Sequence, residues 1–115
     1  MMEGIMDINT KINGDVAIIN LEGRLDLTSA NQLKDASREF FSKDNCKLIL
    51  NMDKVDFINS SGLGALVSIL KEVRNHKGEL KISNLAEYVK EIFDITQLSG
   101  IFDICEDESH ALRSF

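Results

Sequence analysis

Apolar residues in this chain switch between two periods, and that alternation limits the folds open to it. Lys47 to Met52 is a nearly unbroken apolar run, as a strand buried on both faces requires. The segments around it carry apolar residues every three or four positions, the period of a helix with one buried face. Strands that alternate with helices close into a mostly parallel sheet with right-handed crossovers. The opening differs. Ile5 to Ile12 and Val16 to Leu21 read as two strands joined by the turn Asn13-Gly14-Asp15, so an antiparallel hairpin precedes the parallel part.

After Gly23 breaks the second strand, a helix is expected beyond Asp26-Leu27-Thr28. Ser29 and Gln32 have the spacing of a capping box, and Leu33, Ala36, Phe40 and Phe41 form its apolar stripe. A second helix is expected from about Ser60 to His76, with Leu63, Leu66, Val67, Leu70 and Val73 facing inward and Gly78 suited to its C-terminal stop. Glu79 to Ser83 reads as a fourth strand. Leu85, Val89, Ile92 and Phe93 mark a third helix, Phe102 to Cys105 a short last strand, and Ser109 to Phe115 a short last helix. The expected fold is α/β, in the order ββαβαβαβα.

The chain has 115 residues, enough for one domain spanning 1–115 to bury a core without metal or disulfides. Proline is absent, and no Ser/Gly-rich linker or internal repeat divides the sequence. Hydrophobic residues at 43% and charged residues at 28% are ordinary for a soluble globular protein. The net charge of −6 disfavours nucleic acid and anionic lipid as partners. The first residues lack a basic region followed by an apolar run, and no stretch is long enough to span a bilayer, so neither a signal peptide nor membrane insertion is expected. Cys46 and Cys105 each adjoin apolar residues and read as buried reduced thiols. From these features a cytoplasmic location is expected.

Chemistry concentrates in Asp56-Phe57-Ile58-Asn59-Ser60-Ser61-Gly62-Leu63-Gly64, where a strand meets a helix start. Asn59 is a good N-cap, and Ile58 and Leu63 have the spacing of a hydrophobic staple. The helix phase set by the leucines and Val67 puts Ser60 at the edge of the stripe and turns Ser61 outward, together with Gly64, Ala65, Ser68 and Glu72. That outward face is small and nearly uncharged before Glu72, so another protein can approach it closely. Enzyme readings fit poorly. Gly62-Leu63-Gly64 lacks the third glycine of a dinucleotide fingerprint, and Ala65 stands where a P-loop needs lysine. Asn59 and Leu63 occupy the glycine positions of a hydrolase elbow around Ser61. His76 is four turns from the serines, it and His110 read as surface histidines, and no paired metal-ligand spacing occurs. No catalytic activity and no cofactor are expected.

The segment Phe57 to Leu66, with Glu22-Gly23-Arg24-Leu25-Asp26 upstream, resembles the anti-sigma factor antagonists of the STAS domain family, and the likeness runs over essentially the whole chain. The resemblance implies the fold just described and a regulatory role in transcription. It implies that the chain binds an anti-sigma factor that is also a serine kinase and so frees a sigma factor. It implies that the kinase, using ATP, phosphorylates the second serine, Ser61, which releases the antagonist, and that a serine phosphatase restores it. Asp26 corresponds to an acidic residue of the partner surface. Asn59, Ser60, Gly62, Gly64, Ala65 and Ser68 complete the candidate contact set. The family most often has Asp before the serine pair, and this chain has Asn59, which removes a charge beside Ser61. The alternative role for the same fold is a scaffold or accessory subunit of a stress-signalling or lipid-transport complex.

Overall fold

The computed structural model describes residues 6–41 and 47–115. The chain runs β1 (Asp7–Asn13), β2 (Val16–Leu25), α1 (Leu27–Phe41), β3 (Lys47–Ile58), α2 (Ser60–Asn75), β4 (Glu79–Ser83) and α3 (Glu87–Ile95). A turn of 3-10 helix (Leu98–Gly100), β5 (Asp103–Cys105) and α4 (Glu108–Arg113) follow. The five strands form one sheet in the order β1-β2-β3-β4-β5. β1 and β2 are antiparallel and the other pairs are parallel, which is the expected α/β arrangement and element order.

The hairpin closes where Asn13 pairs with Val16, and Gly14 takes the left-handed φ of 64° that the tight turn demands. Alternation along the strands then splits the core. Ala17, Ile19 and Leu21 of β2 and Leu48, Leu50 and Met52 of β3 meet α1, α2 and α3 through Leu33, Phe40, Leu66, Ile69, Val89 and Phe93. Val16, Ile18 and Ile49 point to the other face, where α4 covers them with Ala111, Leu112 and Phe115. Lys81, fully enclosed on that face, pairs with Asp103 and lies 4.9 Å from the Phe115 ring. Cys105 is buried as a free thiol, as expected. Cys46 and Ile5 lie outside the described residues.

Several boundaries differ from the expectation. β2 continues through Gly23 to Leu25, because Gly23 adopts φ 120° and the ladder to β3 shifts register beside it rather than ending. β3 likewise runs on to Ile58, past the last β4 pair at Asn51 and Ser83. The charged residues Asp53, Lys54 and Asp56 hide this extension from an apolar pattern. The capping box of α1 sits three residues earlier than expected. The Asp26 carboxylate accepts the Ser29 amide at 3.3 Å, and the Ser29 hydroxyl accepts the Asp26 amide at 2.9 Å. Gln32 instead holds the start of the sheet, donating to the Met6 carbonyl and accepting its amide. At the end of α2 the left-handed residue is Lys77, with φ 60°, and the amide of Gly78 donates to the Val73 carbonyl at 2.8 Å.

The packing predicts a contrast. Leu66→Ala, in the closed core, should cost about 2–5 kcal/mol of unfolding free energy in urea titrations. Ile12→Ala, at an exposed position of β1, should change it by less than about 0.5 kcal/mol.

Candidate functional site

The extra residues of β2 and β3 carry Leu25 and Ile58 side by side to one end of the sheet, where their Cα positions pair. The chain then turns into α2 through Asn59, whose extended backbone (φ −122°, ψ −174°) is that of an N-cap. Its side-chain oxygen accepts the Gly62 amide at 3.1 Å, as expected. Its own amide donates to the Leu25 carbonyl at 3.3 Å. Gly62 packs directly on that same carbonyl. A Cβ at position 62 would stand 2.3 Å from the Leu25 oxygen and 3.0 Å from Cγ1 of Ile58. Only glycine allows α2 to begin this close to the turn between β2 and α1.

The outward face expected for α2 needs correction. Ala65 is 2% exposed, so it belongs to the core side. Ser60 and Gly64 are exposed, whereas Ser61, Ser68 and Glu72 are half-buried. The buried stripe is Gly62, Ala65, Leu66, Ile69, Leu70 and Val73, with Leu63 and Val67 at its margin. The physical reason is α1. It packs along α2, and Arg38 of α1 reaches Glu72 at 2.9 Å. The row Ser61-Ala65-Ser68-Glu72 therefore faces a neighbouring helix, and its small side chains let the two helices approach. A phase drawn only from Leu and Val could not register a stripe built partly of Gly, Ala and Ile. Ser60 thus points most openly to solvent, and Ser61 lies at the rim between α2 and α1. Neither hydroxyl is hydrogen-bonded to another described residue.

Around this helix start lie Asp26, whose half-buried carboxylate caps α1, and two features that composition and motif did not reveal. Leu27, in the first turn of α1, is 68% exposed. The Arg24 guanidinium lies 3.8 Å above the centre of the Phe57 ring. Their signal in the sequence was slight, an apolar residue directly after a capping aspartate and an arginine in register with a phenylalanine across two strands. The expected surface histidines are exposed. His76 stacks on Phe41 with ring centroids 5.0 Å apart at the opposite end of α2, and His110 is in α4 on the other face of the sheet. A polar recess lined by Asn9, Asn20, Glu22, Asn51, Asp53 and Lys54 includes neither serine. Among the described residues, no three His, Cys, Asp or Glu side chains gather where a metal could bind, and no helix is long and apolar enough to cross a membrane.

A serine pair stands at a glycine-tightened, Asn-capped helix start on a five-stranded mixed sheet, in a small α/β domain. The family model of the STAS domain matches residues 7–111, and the chain belongs to that family. It is 31% identical to the anti-sigma-B factor antagonist of Bacillus subtilis over 86% of this chain and 90% of that protein. The crystal structure of Thermotoga maritima TM1081, a candidate anti-sigma factor antagonist, superposes with a TM-score of 0.86 at 29% identity, covering 92% of each chain. The Bacillus cell fate determinant SpoIIAA in its phosphorylated form shares the fold with a TM-score of 0.72 at 18% identity, covering 95% of this chain and all of that one.

The junction can be tested apart from any partner. Gly62→Ala should destabilise the fold by about 1–3 kcal/mol, since its methyl group must displace backbone. Asn59→Ala should cost about 1 kcal/mol through the lost cap. Ala65→Glu should unfold or strongly destabilise the chain, because it buries a charge between helices. Thermal melts of the three variants check this ordering.

Proposed function

We propose that this chain is an anti-sigma factor antagonist whose partner is an anti-sigma factor with serine kinase activity, and that phosphorylation of Ser61 releases it. The observation that carries the reading is the start of α2, where the Asn59 amide and Gly62 pack on the Leu25 carbonyl, one residue before Asp26, and so fix the serine pair that lies between them in the chain. The name of the Bacillus subtilis relative supports the partner class, and the existence of a phosphorylated form of SpoIIAA supports the modification. Asp26, Asn59, Ser60, Gly62, Gly64 and Ser68 form or position the contact surface. Ala65 acts from beneath it by setting the spacing of α1 and α2.

A phosphate adds about −1.5 to −2 charges at neutral pH. At the first turn of a helix that charge is favoured by about 0.3–1 kcal/mol through the dipole and the free amides. The free protein therefore keeps its fold. In the complex the rim between α2 and α1 is covered, and the phosphate loses water beside the Asp26 carboxylate. Burying an unmatched charge costs several kcal/mol, and about 3 kcal/mol already weakens binding more than a hundredfold. A serine phosphatase then returns the chain to its binding form. Asn59 caps the helix without adding a third negative group, so in this chain the opposing charge near Ser61 comes from Asp26.

Calorimetric titration against the anti-sigma factor tests this. The unphosphorylated chain and Ser61→Ala should bind, whereas the phosphorylated chain should bind at least a hundredfold more weakly and Ser61→Asp should be impaired. Equal affinities for the two forms would sink the switch. Phosphate mapped to Ser60, the more exposed hydroxyl, would overturn the assignment to Ser61.

A further inference from the structure

The sheet has two outer strands, β1 and β5, and only β1 is long, with seven residues against three. An outer strand presents a row of unpaired backbone groups, and proteins commonly blunt it with proline or a bulge. β1 has neither. The chain lacks proline, and the β1-β2 ladder runs from Asp7 opposite Glu22 to Asn13 opposite Val16 without a register shift. The lysine of β1, Lys11, turns to the α4 face and pairs with Glu108 at 3.1 Å.

Which backbone groups are open follows from the hairpin. A two-residue turn closes on a pair that exchanges both backbone bonds, here Asn13 and Val16, and bonded pairs alternate from there. Asp7, Asn9, Lys11 and Asn13 therefore direct their amides and carbonyls to β2, and Ile8, Thr10 and Ile12 direct theirs away from it. Met6 continues the alternation, and the Gln32 side chain takes both its amide and its carbonyl. That contact fixes the phase independently and ends the open edge at Met6.

The open segment is complementary to itself. Ile8, Thr10 and Ile12 share the helix-covered face, where Ile8 is half-buried against the core and Ile12 is 54% exposed. Laid antiparallel to a second copy about Thr10, the strand sets Thr10 opposite Thr10, Ile8 opposite Ile12 and Asn9 opposite Lys11, with Asp7 diagonal to Lys11. Every outward amide and carbonyl of Ile8, Thr10 and Ile12 then has a partner. Moving the axis by one residue is worse in either direction. Centring on Asn9 sets Ile12 against Met6, whose backbone Gln32 already holds. Centring on Lys11 sets lysine opposite lysine.

We propose that β1 is a self-association edge, and that two copies of this chain pair antiparallel through Ile8, Thr10 and Ile12 about a two-fold axis at Thr10. Their sheets join into one, and the interface uses the same patch on both copies, as two-fold symmetry requires. Strand directions reverse across the axis, so the two starts of α2 lie at opposite ends of the joined sheet. Both serine pairs stay open, and the inference stands apart from the proposed function.

Sedimentation velocity of the full-length chain over a range of concentrations should show a monomer–dimer equilibrium. Thr10→Pro and Ile12→Lys should each weaken it about tenfold or more, because each change acts twice across the axis. Melting temperatures in dilute solution should not change. Both positions are exposed, and the Thr10 amide that proline removes is not used by β2. Hydrogen exchange reads the register. The amides of Ile8, Thr10 and Ile12 should become protected as concentration rises, whereas those of Asn9 and Lys11 should be protected throughout. If Thr10→Pro disturbs the fold, Ile12→Lys and the exchange pattern decide. A chain that stays monomeric at millimolar concentration would overturn the proposal. So would a dimer that both variants leave intact, or concentration-dependent protection confined to other elements.

Discussion

The Leu25 carbonyl accepts the Asn59 amide and meets the bare Cα of Gly62, and the top of the molecule is organised around that contact. It joins the end of β2 to the start of α2, two points more than thirty residues apart in sequence. A buried or crowded carbonyl must find a donor, and here the donor is the N-cap residue itself. The same residue uses its side chain to satisfy the Gly62 amide. One short segment thus closes the strand, caps the helix and fixes where the serine pair stands relative to Asp26.

From that junction the geometry of the two neighbouring helices follows. With α2 held against the turn, α1 must pass close beside it, and the row of Ser61, Ala65 and Ser68 gives it room. Arg38 and Glu72 tie the far ends of the pair together across the surface. Small residues on a helix are therefore ambiguous as a signal. They mark close approach, but the approaching body can be another helix of the same chain. Here α1 takes the Ala65 side, and the exposed positions at this end of the molecule are Ser60, Gly64 and Leu27.

The fold was largely legible because each parallel strand is an apolar run and each helix has its own period. Glu79–Ser83 has the expected bounds, and α2 ends at Asn75 with His76 as its cap. What escaped were features decided by tertiary contact. Gly23 signalled a break, but its unusual φ lets β2 bend and continue. Ser29 and Gln32 satisfied a local capping rule, but Asp26 was the better cap, and Gln32 was drawn to the Met6 backbone 26 residues away. The candidate site was legible as a motif with its Asn59 cap, whereas the need for Gly62 was not, because it is set by the Leu25 carbonyl of another strand. Nor was the orientation of the site, because the phase of α2 depends on α1 and on the packing of Ile69.

The extension of β3 beyond β4 has one more effect. From Met52 to Ile58 the strand has no partner on its β4 side among the described residues, and an open strand edge is a template on which other chains can stack. Here Asp53, Lys54 and Asp56 project along it into water, and the register shifts that pair Glu22 with Lys54 and Arg24 with Phe57 twist the ladder away from a flat strip. The irregularity that lifts Asn59 into place therefore also guards against aggregation. Replacing those charges with β-branched apolar residues would leave the capped helix intact while exposing a sticky ribbon beside it.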